Sequence, residues 1–592
     1  MCGISAIYNY TEGAKPIDQV LLDRLDKLQT FRGPDGNGRF INSSRSLGLA
    51  HRRLSIIDIT ETGAQPMSSP NGRYTITFNG EIYNFKELAE ELVRAGLDRP
   101  YTSDTSVILG MYEHLGAKML SRLVGMYALV IWDEVEKCLF AARDSYGIKP
   151  LFYFNDGNRI LFASRFKALA QVLGMEADWP LEGEDAFLML GSVYEPSTVV
   201  SGINMLGAGH WMMADSKEIR IEKYFSLSNQ FEILTNIKTD NLSVIVAAAI
   251  AESVKRHLVS DVPVGLLLSS GIDSAAIATV MREQTSTDVT AITIVYDDVS
   301  AGRQDESILA KKLSNQLGFR HVVRTVTKEE FLTDLPAIIR MMDQPSIDGL
   351  NIWFAAKAVK EQGLKVVISG VGGDELFGGY PSFSNIKRFS ILSRLFRCFP
   401  FLPEFILIVA RILKLRISPK LRLIGRYATS TVGAWLVQRG LWSPSLSKQK
   451  IDNFYRTASD RIDSSNLNLI AESRLHCAAS ILESDCYMRN QLLRDADWAG
   501  MAHSVEVRVP LVDTGLLASL APYIDCLLAR PGKQFLSSLI DPSLRALFEE
   551  RAKTGFTTPV GKWLVDEFNY PTKDEHWSYY YARWLLTQWK VS

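Results

Sequence analysis

The sequence predicts two domains of different class: an α+β unit built on antiparallel sheets, then an α/β unit built on a parallel sheet. Three observations predict this. At 592 residues the chain is too long for one hydrophobic core. Its first part carries short segments of period-two patterning, split by turn clusters, with helix-period stretches between them. Its later part carries apolar runs that do not alternate, each passing through small residues into a helical pattern. Strands buried on both faces of a parallel sheet read this way.

Taken in order, Tyr74, Ile76 and Phe78 point to one side of a strand over 73–78. Segments 126–132, 138–142, 151–154 and 160–163 read as further strands, and 84–95 and 105–116 as helices. The stretch 216–240 mixes charge and polarity without a strong period. We place a linker there, between domains at 1–215 and 241–592. Beyond it, 242–258 reads as a helix and 264–268 as a buried strand, with a capped helix beginning at Asp273. The alternation continues with a strand at 289–296, a helix at 306–317 and a strand at 365–368. A parallel sheet of this kind binds a nucleotide at its C-terminal edge.

Composition narrows the function. Lys and Arg total 65 against 66 Asp and Glu, which leaves nothing to drive nucleic-acid binding by net charge. Mean hydropathy is +0.02, that of a globular chain. The six cysteines are scattered without pairing spacing, as in a reducing compartment. With no basic-then-apolar leader and no clean apolar run of about 20 residues, a cytoplasmic location is expected.

Two features carry chemistry. Removal of Met1 would leave Cys2 with a free α-amine beside its thiol, a nucleophile with its own base. Further on, Ser269-Ser-Gly-Ile-Asp-Ser274 joins a strand to a helix through small residues, the geometry that receives an anion. It lacks the Gly-Lys-Ser/Thr of a Walker loop. Ser369-Gly-Val-Gly-Gly-Asp374 repeats the arrangement after the strand at 365–368. Two such loops, each supplying one carboxylate, Asp273 and Asp374, could share Mg²⁺ bound to a pyrophosphate group.

These blocks carry a resemblance. Cys2, Arg32-Gly-Pro-Asp-Gly36, His51-Arg-Arg53, Phe78-Asn-Gly-Glu81, Ser103-Asp-Thr105 and Ala142-Arg-Asp-Ser-Tyr-Gly147 resemble, in order and spacing, the glutaminase domain of class II glutamine amidotransferases. With the second half the chain resembles glutamine-hydrolysing asparagine synthetases over nearly its full length. The resemblance implies an Ntn-type antiparallel αββα sandwich followed by a parallel-sheet ATP-pyrophosphatase (PP-loop) domain. It implies that Cys2 attacks the glutamine amide, with Asn79 and the backbone of Gly80 as oxyanion donors. Arg53 would hold the glutamine carboxylate, and Asp104 and Glu81 its ammonium. Leu268, Ser269, Gly271, Ser274, Ile294, Ser369 and Gly370 would bind ATP, Asp273 and Asp374 Mg²⁺, and Lys553 the α-phosphate. The substrates implied are glutamine, ATP and a carboxylic acid, aspartate first, with room for a homodimer.

The chain also departs from the pattern. Val371 stands where many asparagine synthetases place an acid, and a valine cannot accept a proton: either another carboxylate serves, such as Glu375 or Asp348, or, in a second reading, the acceptor is not free aspartate but an acid such as a sugar uronate or a natural-product acid. Arg165 replaces a glutamate of the family pattern, a change that bears on the contact between domains. Between Lys387 and Arg426 lie ten Lys and Arg against one acid, Glu404, around an apolar stretch at 399–413. This reads as a core helix with a basic solvent face, in preference to docking on an anionic membrane. His503 reads as packed rather than catalytic, Glu506 and Arg508 as framework, and Trp577, Tyr581, Trp584 and Leu585 as one packed helical face.

Overall fold

The computed structural model describes all residues except 12, 14, 180–182, 234–239, 298–305, 416, 442, 444–445, 464–473, 530–532, 551–558, 569–576 and 592. The N-terminal half holds two six-stranded antiparallel sheets. One runs in the spatial order Ile203–Met205, Phe152–Asn155, Arg159–Ala163, Gly3–Asn9, Leu47–Arg53, Gly36–Ile41. The other runs Ile219–Lys223, His210–Ala214, Cys138–Arg143, Gly125–Asp133, Tyr74–Ile82, Met67–Ser68.

Alternation explains the stacking. Ile4, Ala6 and Tyr8 of the first sheet pack face to face with Ala128, Val130 and Trp132 of the second. The other face of the second sheet carries Tyr74, Ile76 and Phe78, as the period predicts. They bury against the helices Phe85–Arg94 and Asp104–Leu115. Helix Gln19–Lys27 covers the outer face of the first sheet. The result is helix, sheet, sheet, helix, and the expected Ntn-type sandwich is present.

The C-terminal half is built on one parallel sheet in the order Arg320–Val326, Thr290–Tyr296, Val264–Leu267, Val366–Ile368, Glu506–Arg508. This is the parallel α/β domain expected of an ATP pyrophosphatase. Helix Ile272–Gln284 follows the central strand. Its cap is Gly271, not the expected aspartate. Asp273 lies inside the first turn, and no side chain caps the helix. Strand Ile219–Lys223 falls within the stretch read as a linker, where it pairs with His210–Ala214. The order of charges along 219–223 hides it, because its side chains are mostly exposed.

The halves meet through buried groups. Arg32 donates to both carboxylate oxygens of Asp497, at 2.7 and 2.9 Å. Asp343 accepts from the backbone of Phe166 and Lys167, at 2.8 and 3.0 Å. Arg165 lies buried at this junction, its Nε 3.6 Å from Asp343 and its guanidinium over the Phe31 ring. The departure at Arg165 therefore sits on the contact between halves. A small apolar cluster of Met1, Leu54 and Ile56 meets Val366 and Met501 across the same seam.

The apolar stretch at 399–413 does not form the expected core helix. Helix Leu402–Ile412 buries Pro403 and Ala410, but turns Phe401, Phe405, Ile408 and Ile412 outward.

Candidate active site

The sequence-predicted residues collect in two places. In the N-terminal half, Cys2, Arg53, Gly80, Glu81 and Asp104 line one pocket. Cys2 enters from the first strand of the first sheet, while Asn79, Gly80 and Glu81 come from strand Tyr74–Ile82 of the second. The backbone N–H of Cys2 donates to Asn79 Oδ1 at 2.9 Å. The amide nitrogen of Asn79 is buried and has no hydrogen-bond partner among the described residues. A buried, unsatisfied donor costs free energy unless something arrives to accept from it. Beside the thiol, that is where an oxyanion hole is needed. Gly80 is required for close approach: a Cβ there would meet the Met126 carbonyl oxygen at 2.1 Å.

Burial raises the Cys2 thiol above its usual range, partly offset by the terminal ammonium. Burial also raises Asp104 to about 6, against backbone hydrogen bonds from Ile82 and Thr105. Glu81 is held well above the usual carboxylate range by burial and by the charge of Glu506. Two acids that resist ionisation when empty are ready for a cation. Arg53 bonds the carbonyls of Thr60 (2.7 Å) and Asp58. The pocket is small, about 30 Å³, and Leu54, Ile56, Ile57, Gly63 and Gln65 form one of its walls.

A buried ionic chain leads from this pocket toward the seam. Glu506 accepts from Arg508 Nε at 2.7 Å and lies 3.1 Å from the Met1 ammonium. Burial alone would raise Glu506, but the Met1 ammonium and Arg508 outweigh it and hold the carboxyl at about 2. Arg508 also donates to the carbonyls of His257 and Val259 and lies 3.8 Å from Glu81. The framework role expected of Glu506 and Arg508 thus reaches the N-terminal pocket itself. His503 packs against the Trp353 ring at 4.4 Å.

In the C-terminal half, Leu268, Ser269, Gly271, Asp273, Ser274, Ile294, Ser369, Gly370 and Asp374 line one cavity of about 600 Å³. The two small-residue loops interlock there. A Cβ on Gly370 would meet Ser274 N at 3.0 Å, and one on Gly373 would meet Asp273 Oδ1 at 2.5 Å. Ser274 Oγ bonds back to Ser269 and Gly271, which fixes the first loop. Lys533, from the turn before helix Gln534–Ser537, places its ammonium 2.6 Å from Asp374 and in contact with Asp273. Burial would lower this ammonium, but the two carboxylates hold it above its usual range. Carboxylate oxygens facing each other from two glycine loops are a hard-oxygen donor set, and they fit Mg²⁺ brought in with a nucleotide. Lys533 was missed in the sequence, where no motif marks it. Lys553 lies outside the described residues.

The same cavity continues past the loops to Val371, Asp348, Glu375, Tyr380, Tyr487, Leu492 and Trp577. Among these described residues there is no Lys or Arg. Glu375 accepts from the Tyr380 hydroxyl at 2.9 Å, and its second oxygen has no hydrogen-bond partner among the described residues. Burial, with Asp374 nearby, raises Glu375 to about 8. Burial raises Asp348 as well. Trp577, expected to be core, forms part of this wall.

Comparison with known proteins agrees with this division. Residues 1–225 match the model of the glutamine amidotransferase domain, and residues 246–574 that of asparagine synthase. The chain is 31% identical over 583 residues to asparagine synthetase (glutamine-hydrolyzing) 1 of Bacillus subtilis, covering 96% of this chain and 89% of that protein. It is 31% identical over 415 residues to amidase chyE of Penicillium rubens, covering 65% and 60%. Among solved structures it is similar to the glutamine phosphoribosylpyrophosphate amidotransferase from B. subtilis, with 15% identity and a TM-score of 0.30, covering 56% and 92%.

Proposed function

The chain belongs to the glutamine-hydrolysing asparagine synthetase family, and from that premise we propose that its two sites work in series to turn a carboxylic acid into its amide. In the first site Cys2 attacks the glutamine amide carbon and its own freed α-amine takes the thiol proton. Asn79 Nδ2 and the Gly80 N–H stabilise the oxyanion. Arg53 pairs with the substrate carboxylate and Asp104 and Glu81 with its ammonium. Ammonia leaves, and water releases glutamate from the thioester.

In the second site the loops at Ser269–Ser274 and Ser369–Asp374 would hold the phosphates of ATP, with Leu268 and Ile294 against the adenosine. Mg²⁺ would neutralise phosphate charge between Asp273 and Asp374. Lys533 orients both carboxylates, and Lys553 is assigned to the α-phosphate. The acceptor carboxylate attacks that phosphorus, pyrophosphate leaves, and ammonia displaces AMP from the acyl adenylate. One observation carries this reading: two interlocked glycine loops line one cavity and present an aspartate each to Lys533.

Resemblance makes aspartate the first acceptor to test. The cavity favours the second reading, an acid other than free aspartate, such as a uronate or a natural-product carboxylate. Aspartate brings a second carboxylate that needs a cation, and the described wall offers the acids Asp348 and Glu375, aromatic rings and Val371 instead. Those acids suit hydroxyl or amine donors, and Trp577 and Tyr487 suit the flat face of a ring. The test supplies ATP, glutamine and a panel of acids and counts pyrophosphate. Release with aspartate sustains the first reading, and release only with a larger acid the second. No release with any acid, even with ammonium salt, overturns both.

A further inference from the structure

Helix Leu402–Ile412 carries an apolar stripe that no described residue covers. Phe401, Phe405, Ile408 and Ile412 are 68, 59, 58 and 73% exposed, at the four-three-four spacing of one helical face. Leu395 and Ile391 of helix Ser382–Cys398 and Leu413 and Leu415 beyond the stripe are exposed as well. A monomeric protein rarely leaves so many large apolar side chains together in water unless the patch meets something.

The charges around the stripe decide what it meets. Arg388, Arg394, Arg397, Arg411 and Lys414 are exposed and make no ion pair among the described residues. The acid on the helix, Glu404, is already bonded to Arg422. The segment from Lys387 to Arg426 has ten basic residues and one acid, whereas the whole chain has a net charge of −1, so the rest is net negative. Positive charge is concentrated in the segment that carries the apolar face, with Arg411 and Lys414 on and just beyond the helix itself.

A second copy of the chain fits poorly, because a two-fold contact through this face would bring unpartnered guanidinium groups together. Hot spots of protein interfaces are enriched in Trp and Tyr, and the stripe offers neither. An apolar helical stripe with a basic rim matches the boundary between the acyl chains and the headgroups of an anionic bilayer. No described helix is long and apolar enough to cross a membrane, so the contact would be with one leaflet.

We propose that the face formed by Phe401, Phe405, Ile408 and Ile412, with its rim of arginines, docks the enzyme on the surface of an anionic phospholipid membrane. The proposal does not depend on which acid is amidated. The full chain is sedimented with vesicles of phosphatidylcholine alone or mixed with phosphatidylglycerol, at low and high salt. Binding to the anionic vesicles is expected, with a loss of about tenfold or more in high salt or on neutral vesicles. The double variant Phe405→Glu/Ile408→Glu should lose binding by about tenfold or more while keeping its circular dichroism and its glutamine hydrolysis. Wild-type protein that stays in the supernatant with anionic vesicles at low salt overturns the proposal. So does a dimer in sedimentation velocity that the double variant turns into a monomer, and so does equal binding by the double variant.

Discussion

Asn79 shows what a single side chain can be asked to do. Its oxygen holds the backbone of Cys2 and its nitrogen waits for an acceptor. Asn79→Ala should lower the kcat of glutamine hydrolysis about 10²–10³-fold, as for loss of one oxyanion donor, and leave ammonium-dependent amidation nearly unchanged. Cys2→Ala should abolish the first reaction and spare the second, and loss of both would contradict the two-site division. Glu375 gives a pH test. Its folded pKa is about 8 against an ordinary 4.5, so the native state keeps a proton that the unfolded chain has released. Stability therefore falls as pH climbs from about 4.5 to about 8 and levels off above that. Glu375→Gln should remove this slope from the melting temperature measured across that range. The sequence made Cys2, Asn79 and Asp104 legible because each sits in a dense polar block at a strand end. Glu375 was legible as a carboxylate beside Val371, but its burial was not, because burial is a property of the packing around it.

Among the elements, the loops at the C-terminal edge of the parallel sheet were the most legible. Apolar strand, small residues and acid form one continuous local signal at both 264–274 and 366–374. The clamp between them was not, because Lys533 lies 260 positions from Asp273 and stands in no motif of its own. Lys533→Met should cost about 3–5 kcal/mol, since two carboxylates would face each other without that ammonium between them. Added Mg²⁺ should then raise the melting temperature of the variant by more than that of the wild type. An equal rise would show that the lysine does not share its site with a metal. Helix Leu402–Ile412 failed in the opposite sense. Its composition is that of a core helix, and only the absence of a covering layer makes Phe405 and Ile408 a surface.

For the whole molecule, both kinds of sheet and their order along the chain could be read from period, and the seam between the halves could not. Arg32 and Asp497 are 465 positions apart, and neither stands in a motif that names the other. Both are buried, so Arg32→Met should cost about 3–5 kcal/mol by stranding a carboxylate. Calorimetry should then resolve two transitions where the wild type gives one. Glutamine hydrolysis in this variant should lose its response to ATP and acceptor.

Strand Val366–Ile368 crosses from one chemistry to the other. Val366 rests against Leu54 and Ile56, which wall the N-terminal pocket, and the strand runs straight into Ser369 and Gly370. Its three residues pair with parallel strands on both sides, which makes a short bonded path between the two loops. On the proposed reading, glutamate and AMP should emerge in step, and an idle engine should burn neither fuel.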